Sequence, residues 1–195
     1  RRVQIRSSLW QQHGVTRERH ALPRPLDAAA LDQLALRYVE RFATTRGKLA
    51  DYLRRKVRER GWQGAPVDPA AVAERMAALG YVNDRAFAAM RAASLARRGF
   101  GARRVAQALH AAQIDAEDTA AALAELAEEP GAEAQPLRAA LAFAKRRRFG
   151  PWAREAPDAR LLERQVAAMI RAGHAHALAR RIVTSPPGVP FEGEE

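Results

Sequence analysis

Gly99, Phe100 and Gly101, flanked by the pairs Arg97-Arg98 and Arg103-Arg104, are the residues of this chain whose types and spacing most suggest chemistry. Two glycines around an aromatic beside cations look like a loop that cradles phosphate. A dinucleotide-binding fingerprint also needs a third glycine at the sixth place and a strand ahead of it. Arg104 occupies that place, and the preceding FAAMRAASLARR has helical character. The glycines therefore read as a joint between helices. Gly99 suits the left-handed position that ends a helix, Phe100 packs back, and Gly101 frees the backbone to enter the next helix. The four arginines converge on one short region and form a candidate anion-facing patch. The competing explanation is ordinary solvated surface, since arginine is usually exposed.

The other candidates for catalysis weaken on inspection. Asp84 or Asn83, in GYVND, suits the cap of a following helix, and no partner acid, base or ligand lies near it in sequence. His174 and His176 stand two apart, which puts them on different sides of a helix rather than on one metal. Ser185 lacks the turn that exposes a nucleophile. There is no cysteine, so thiolate ligands, disulfides and cysteine nucleophiles are excluded. Neither a metal nor another cofactor is expected, and the chain reads as a non-enzyme. The densest basic cluster is Lys145, Arg146, Arg147 and Arg148 ahead of Phe149 and Trp152. It suits phosphates or an acidic partner. Complementing a helix macrodipole is worth only some tenths of a kcal/mol per exposed charge, too little to account for four consecutive cations.

The whole chain carries the same bias. Its 195 residues hold 33 Lys and Arg against 22 Asp and Glu, a net charge of +11, with a pI near 11.2. Such a charge favours polyanionic partners, whether nucleic acid, an anionic membrane or an acidic protein surface. No apolar run approaches a membrane span and no signal-type core opens the chain, so a cytoplasmic protein is expected. A monomer is expected too.

The elements that must hold these residues read as helices throughout. Leu31, Leu34, Ala35, Tyr38, Val39 and Phe42 form one helical face. Thr45 caps a second helix with Leu49, Tyr52, Leu53 and Val57 inside. Pro69 opens a third, with Val72, Met76 and Leu79 inward and Gly80 closing it. No convincing period of two occurs. The pattern then recurs weakly at about fifty to sixty residues, where KVRERGW, ALHAAQI and MIRAGH line up as helix endings. The second unit draws inward Phe87, Met90, Val105, Ala108, Leu109, Ala112, Leu123 and Leu126. The third draws Leu137, Ala140, Leu141, Ala144, Leu162, Val166, Met169, Ile170, Leu178 and Ile182. An all-α, elongated stack of three tandem three-helix repeats follows, with flexible termini. The first two repeats span 27–80 and 81–129, and 130–184 holds the linker around EEPGAEAQP together with the third repeat. Residues 1–26 form a flexible basic arm and 185–195 a disordered tail. The alanine-rich faces predict thin, local cores.

The stretch LGYVNDRAFAAMRAASLARRGFGARRVAQALHAAQID resembles the central signature of the RecX regulators of the RecA recombinase. Gly80, Tyr81, Asp84, Phe87, Gly99, Phe100, Gly101, Arg104, Leu109 and Ile114 match it in order and spacing. LRYVERFATTRGKLADYLRRK resembles the first repeat of that family, and RRFGPW with MIRAGHAHALARRI the last. The likeness covers roughly residues 31–184. Gln113 stands where the family usually has glycine, His174 where it usually has an aromatic, and Gln165 interrupts an apolar face. The resemblance implies a non-enzymatic protein that lies along the RecA filament on DNA and inhibits strand exchange, ATP hydrolysis and co-proteolysis. Arg97, Arg98, Arg103, Arg104 and Lys145 to Arg148 are then the expected filament or DNA contacts. Gly80, Asp84, Gly99, Phe100 and Gly101 are the expected joints and caps. The alternative is a basic helical module that binds DNA directly and without sequence preference.

Overall fold

A computed structural model of the protein describes residues 24–128 and 135–191. Nine α-helices account for most of the described residues, and they group by threes. The first group is α1 (Ala28–Arg41), α2 (Arg46–Arg60) and α3 (Pro69–Ala78); the second is α4 (Asp84–Arg97), α5 (Ala102–His110) and α6 (Ala116–Glu128). The third is α7 (Gln135–Arg147), α8 (Ala159–Arg171) and α9 (His176–Val183), with a short 3-10 turn at Gly150–Trp152. Among the described residues there is no strand, only an isolated bridge between Leu26 and Trp62.

The helix starts follow local chemistry. Asp27, Thr45, Asp68, Asn83 and Asp158 each accept a hydrogen bond from a backbone N–H of the first turn they precede. Each satisfies a donor that would otherwise lack an intrahelical partner. Pro69 stands at the start of α3, where its missing N–H costs nothing.

Each group of three encloses its own core. The first holds Leu26, Leu31, Leu49, Leu53 and Val72. The second holds Ala88, Ala92, Leu95, Val105, Leu109 and Ile114. In the third, Phe143, Val166, Met169, Ile182 and Val183 are buried together. The middle core takes Ala88 and Ala92 with Leu95 from α4, and the alanines let α4 approach its neighbours closely while burying little area per residue. Gln165, which interrupts the apolar face of α8, is buried and its side-chain carbonyl oxygen has no hydrogen-bond partner among the described residues.

Three residues read as inward are not. Phe42, Leu79 and Met90 are 48%, 66% and 56% exposed. Phe42 and Leu79 are the residues that close α1 and α3, where the chain leaves the helical period. Met90 belongs to a helix whose buried side is already filled by Ala88, Ala92 and Leu95.

The ends also differ from expectation. Residues 1–23 and 192–195 lie outside the described residues, but the inner parts of both segments are structural. Leu26 is fully buried, its N–H donating to the Gly61 carbonyl and its own carbonyl accepting from Gln63. In the segment expected to be disordered, Phe191 enters the third core beneath the Arg181 guanidinium, 4.9 Å from its ring centre. Gly188 N–H donates to the Pro151 carbonyl and fixes the turn that returns it. Proline and glycine here make a tight return rather than an unfolded tail, and one aromatic supplies the apolar area. Phe191→Ala should therefore cost about 1.5–3 kcal/mol of stability. A thermal midpoint equal to the parent's would restore the tail to a dispensable end.

Candidate functional site

The Gly99-Phe100-Gly101 stretch joins more than two helices. Gly99 has φ 76°, and the N–H of Phe100 donates back to the Leu95 carbonyl at 3.1 Å. That is the Schellman arrangement at the end of α4. The space around Gly99 is occupied from outside the unit: a Cβ there would lie 2.8 Å from the Phe143 nitrogen and 2.9 Å from the Ala139 carbonyl oxygen. Gly101 donates its N–H to the Ala172 carbonyl at 2.9 Å. A Cβ on Gly101 would sit 2.3 Å from the Gly173 oxygen. Phe100 packs against both the second and third cores. The stretch is thus the seam between the second and third units, with backbone laid directly on backbone.

The seam between the first and second units repeats the same relation. Thr45 Oγ1, buried at the start of α2, donates to the Ala112 carbonyl at 2.6 Å. Gly101, at the start of α5, donates to Ala172 at the end of α8. In both cases the donor-rich start of one middle helix meets the acceptor-rich end of the next. This places partial charges of opposite sign together. The residues after the three middle helices, Gly61, Gln113 and Gly173, all have positive φ, at 79°, 59° and 95°.

Asn83 is the cap of α4, and Asp84 has a different task. The Asp84 carboxylate is buried and accepts from the backbone N–H of Arg46 at 2.9 Å and from its Nε at 3.1 Å. Arg46 also pairs with Glu74 at 3.3 Å and Asp115 at 3.5 Å. Asp84 therefore ties the second unit to the start of α2. Gly80, the remaining expected joint, has φ 81° with open space around it.

The fold brings part of the two basic clusters together. The Arg98 guanidinium lies 5.6 Å from the Phe100 ring centre, and Arg146 lies 6.0 Å from Phe100 and 5.5 Å from Phe143. Arg147 lies 5.8 Å from Phe143. Arg146 also donates to the Arg98 carbonyl oxygen. Three cations from α4, α7 and their ends thus crowd one aromatic shelf at the seam. Arg103 and Arg104 face a separate pocket beside Arg171. Arg97, Lys145 and Arg148 are exposed. Among the described residues, none of these eight expected contacts is ion-paired with a carboxylate. Residues 135–191 hold eleven Lys and Arg against three Asp and Glu, so acid is scarce in the unit that carries Lys145 to Arg148.

Sequence reasoning missed Phe143 and Arg171. Phe143 lies in the alanine-rich run AALAFAK of α7, and its pairing with Phe100, ring centres 6.4 Å apart, is visible only in three dimensions. Arg171 lies in MIRAGH, the very ending that aligned with ALHAAQI.

Among the described residues no group of His, Asp and Glu is placed to hold a metal, and no helix is long and apolar enough to cross a membrane. Residues 83–123, which run from the Asn83 cap through the glycine joint into α6, match the family description "RecX, second three-helix domain". The Regulatory protein RecX of Myxococcus xanthus (strain DK1622) is 33% identical over 175 residues, covering 85% of this chain and 90% of that protein. The chain belongs to the RecX family. This is a family of regulatory proteins, and the all-helical architecture in tandem three-helix units agrees with it.

The two departures from the RecX pattern at the ends of middle helices now have physical readings. Gln113 adopts the left-handed conformation that glycine usually supplies, at a cost of about 1–2 kcal/mol. In return its side chain fills the space over Gly47 and donates to Asp51, which lies in the first unit. His174, in the place of an aromatic, packs on Phe143 with ring centres 5.7 Å apart and donates from Nε2 to the Gly99 carbonyl at 3.1 Å.

Burial lowers the His174 pKa below its ordinary value of 6.5, and the bond to the Gly99 carbonyl opposes this only in part. The folded state thus binds the proton less readily than the unfolded one. Stability is fully present above about pH 6.5 and falls as the pH drops from there through the folded pKa. His174→Phe should remove that component. Thermal midpoints at neutral pH and near pH 5.5 should differ less for the variant than for the parent. Equal differences would mean that His174 does not report on the seam.

Proposed function

We propose that this protein binds the RecA filament on single-stranded DNA and inhibits its recombinase, ATPase and co-protease activities, thereby modulating recombination and DNA repair in the cytoplasm. The observation that carries this reading is the set of eight cations on either side of the second seam, with no carboxylate partner among the described residues. Unpaired, exposed cations on a basic chain are held ready for an anionic surface. Tandem units spread such contacts along an elongated partner, as a filament requires. Membership of a regulatory family and the name of the Myxococcus xanthus relative support the choice of RecA as that partner.

The test is binding to three targets in one buffer: RecA alone, bare single-stranded DNA, and the RecA filament on that DNA, with ATP hydrolysis followed in parallel. The filament should be bound at least about tenfold more tightly than either component, a difference of about 1.4 kcal/mol. Hydrolysis should slow as binding saturates. Binding to bare DNA as tight as to the filament, with hydrolysis unchanged, would overturn the proposal in favour of a plain DNA-binding module.

A further inference from the structure

Arg103 and Arg104, on the first turn of α5, and Arg171, the last residue of α8, line one open pocket of about 450 Å³. Gln107, Ile170 and Gly173 complete its lining. No carboxylate borders it, and none of the three arginines has an ion-pair partner among the described residues. Arg104 Nη1 reaches the Gln107 side-chain oxygen at 3.5 Å, so this guanidinium is turned along α5 toward the pocket lining.

Three like charges around one cavity repel one another, and among the described residues no carboxylate pairs with them. An anion entering the pocket relieves that repulsion. A single carboxylate balances one cation and offers two oxygens. A phosphate group offers three or more oxygens arranged for the planar forks of several arginines. The start of α5 adds little to this field, because the acceptor-rich end of α8 lies against it, so the arginine side chains carry the charge. The approach of Gly173 to Gly101 sets the ends of α8 and α5 side by side, which is why residues 67 positions apart in sequence share one pocket.

We infer that this pocket at the second seam binds a phosphate group, carried either by a polynucleotide backbone or by a free nucleoside triphosphate. The site deepens the filament reading by giving Arg103, Arg104 and Arg171 a ligand of their own, and occupation of it requires no RecA. Arg171 is its diagnostic residue.

The experiment uses the full chain without RecA, so its failure is separate from failure of the filament reading. ATP, inorganic tripolyphosphate, a short oligothymidylate and poly-glutamate are titrated calorimetrically against the parent, Arg171→Ala, Arg171→Lys and Arg180→Ala. Arg180, which already pairs with Glu163, is the control. Arg171→Ala should weaken phosphate binding about tenfold, and flatten the salt dependence of oligonucleotide binding by about one unit of slope. Arg180→Ala should change neither. Arg171→Lys keeps the charge and guards against a folding artefact; it should bind between the parent and Arg171→Ala. Binding of ATP as well as oligonucleotide would admit both sources, and binding of oligonucleotide alone would assign the polynucleotide backbone. Either result supports the site. Absence of binding, equal losses in Arg171→Ala and Arg180→Ala, or poly-glutamate bound as tightly with the same Arg171 dependence would overturn it.

Discussion

Replacing Arg97, Arg98, Arg103 and Arg104 together by glutamate should leave the protein folded and abolish the inhibition of the RecA filament proposed for it. All four side chains are exposed, and exposed substitutions usually shift stability by about 0.5 kcal/mol or less. The one interaction of note that is lost is Arg98 over Phe100, worth about 0.5–1 kcal/mol at an exposed site. Binding should respond far more. The change removes four positive charges and adds four negative ones beside the anionic surface that the proposed function assigns to the partner. Like-charge juxtaposition across an interface costs several kcal/mol, so affinity should fall on the order of a hundredfold or more. Thermal unfolding and a strand-exchange inhibition assay on the same preparation check the two halves. A variant that folds and inhibits like the parent would make these arginines solvated surface.

Much of the fold is legible in the amino-acid sequence. Helical periodicity gave the three-by-three grouping, because alanine and leucine recur at helical spacing with polar stops between them. Thr45 and Pro69 were legible as helix starts because capping is a local matter of one side chain and the N–H groups that follow. Gly99 was legible as a helix end for the same reason. The seams were not, since they consist of backbone meeting backbone between units far apart in sequence. Nothing local says that Gly101 faces Gly173, or that Asp84 serves Arg46 rather than its own helix. Phe42, Leu79 and Met90 show the opposite failure. They keep the helical period in sequence, yet they sit where a helix has closed or its inner face is already full.

The glycines give the second large effect, because they separate two reasons for being glycine. Gly80 has positive φ in open space, so Gly80→Ala should cost only about 1–2 kcal/mol of backbone strain. Gly101 has an ordinary φ of −75° but no room for a Cβ. Gly101→Ala should therefore cost roughly 1–3 kcal/mol through overpacking alone and force the second and third units apart. Gly99 has both constraints. Gly99→Val combines about 1–3 kcal/mol of conformational strain with a similar overpacking cost, making it the most damaging of the three. Inhibition should survive Gly80→Ala and fail in Gly101→Ala even while helix content is kept, because the second seam positions both basic clusters. Equal inhibition by the parent and Gly101→Ala, with amide exchange showing a loosened seam, would mean that the seam's geometry does not matter to the partner.

Hydrogen-exchange footprinting of the protein bound to the RecA filament on single-stranded DNA tests the central claim most directly. Slowing of exchange on binding should be concentrated in residues 97–104 and 145–148, on the two sides of the second seam, and should disappear in the quadruple arginine-to-glutamate variant. Slowing confined to the first unit or to the basic residues before it, with both seam segments exchanging as in the free protein, would contradict it.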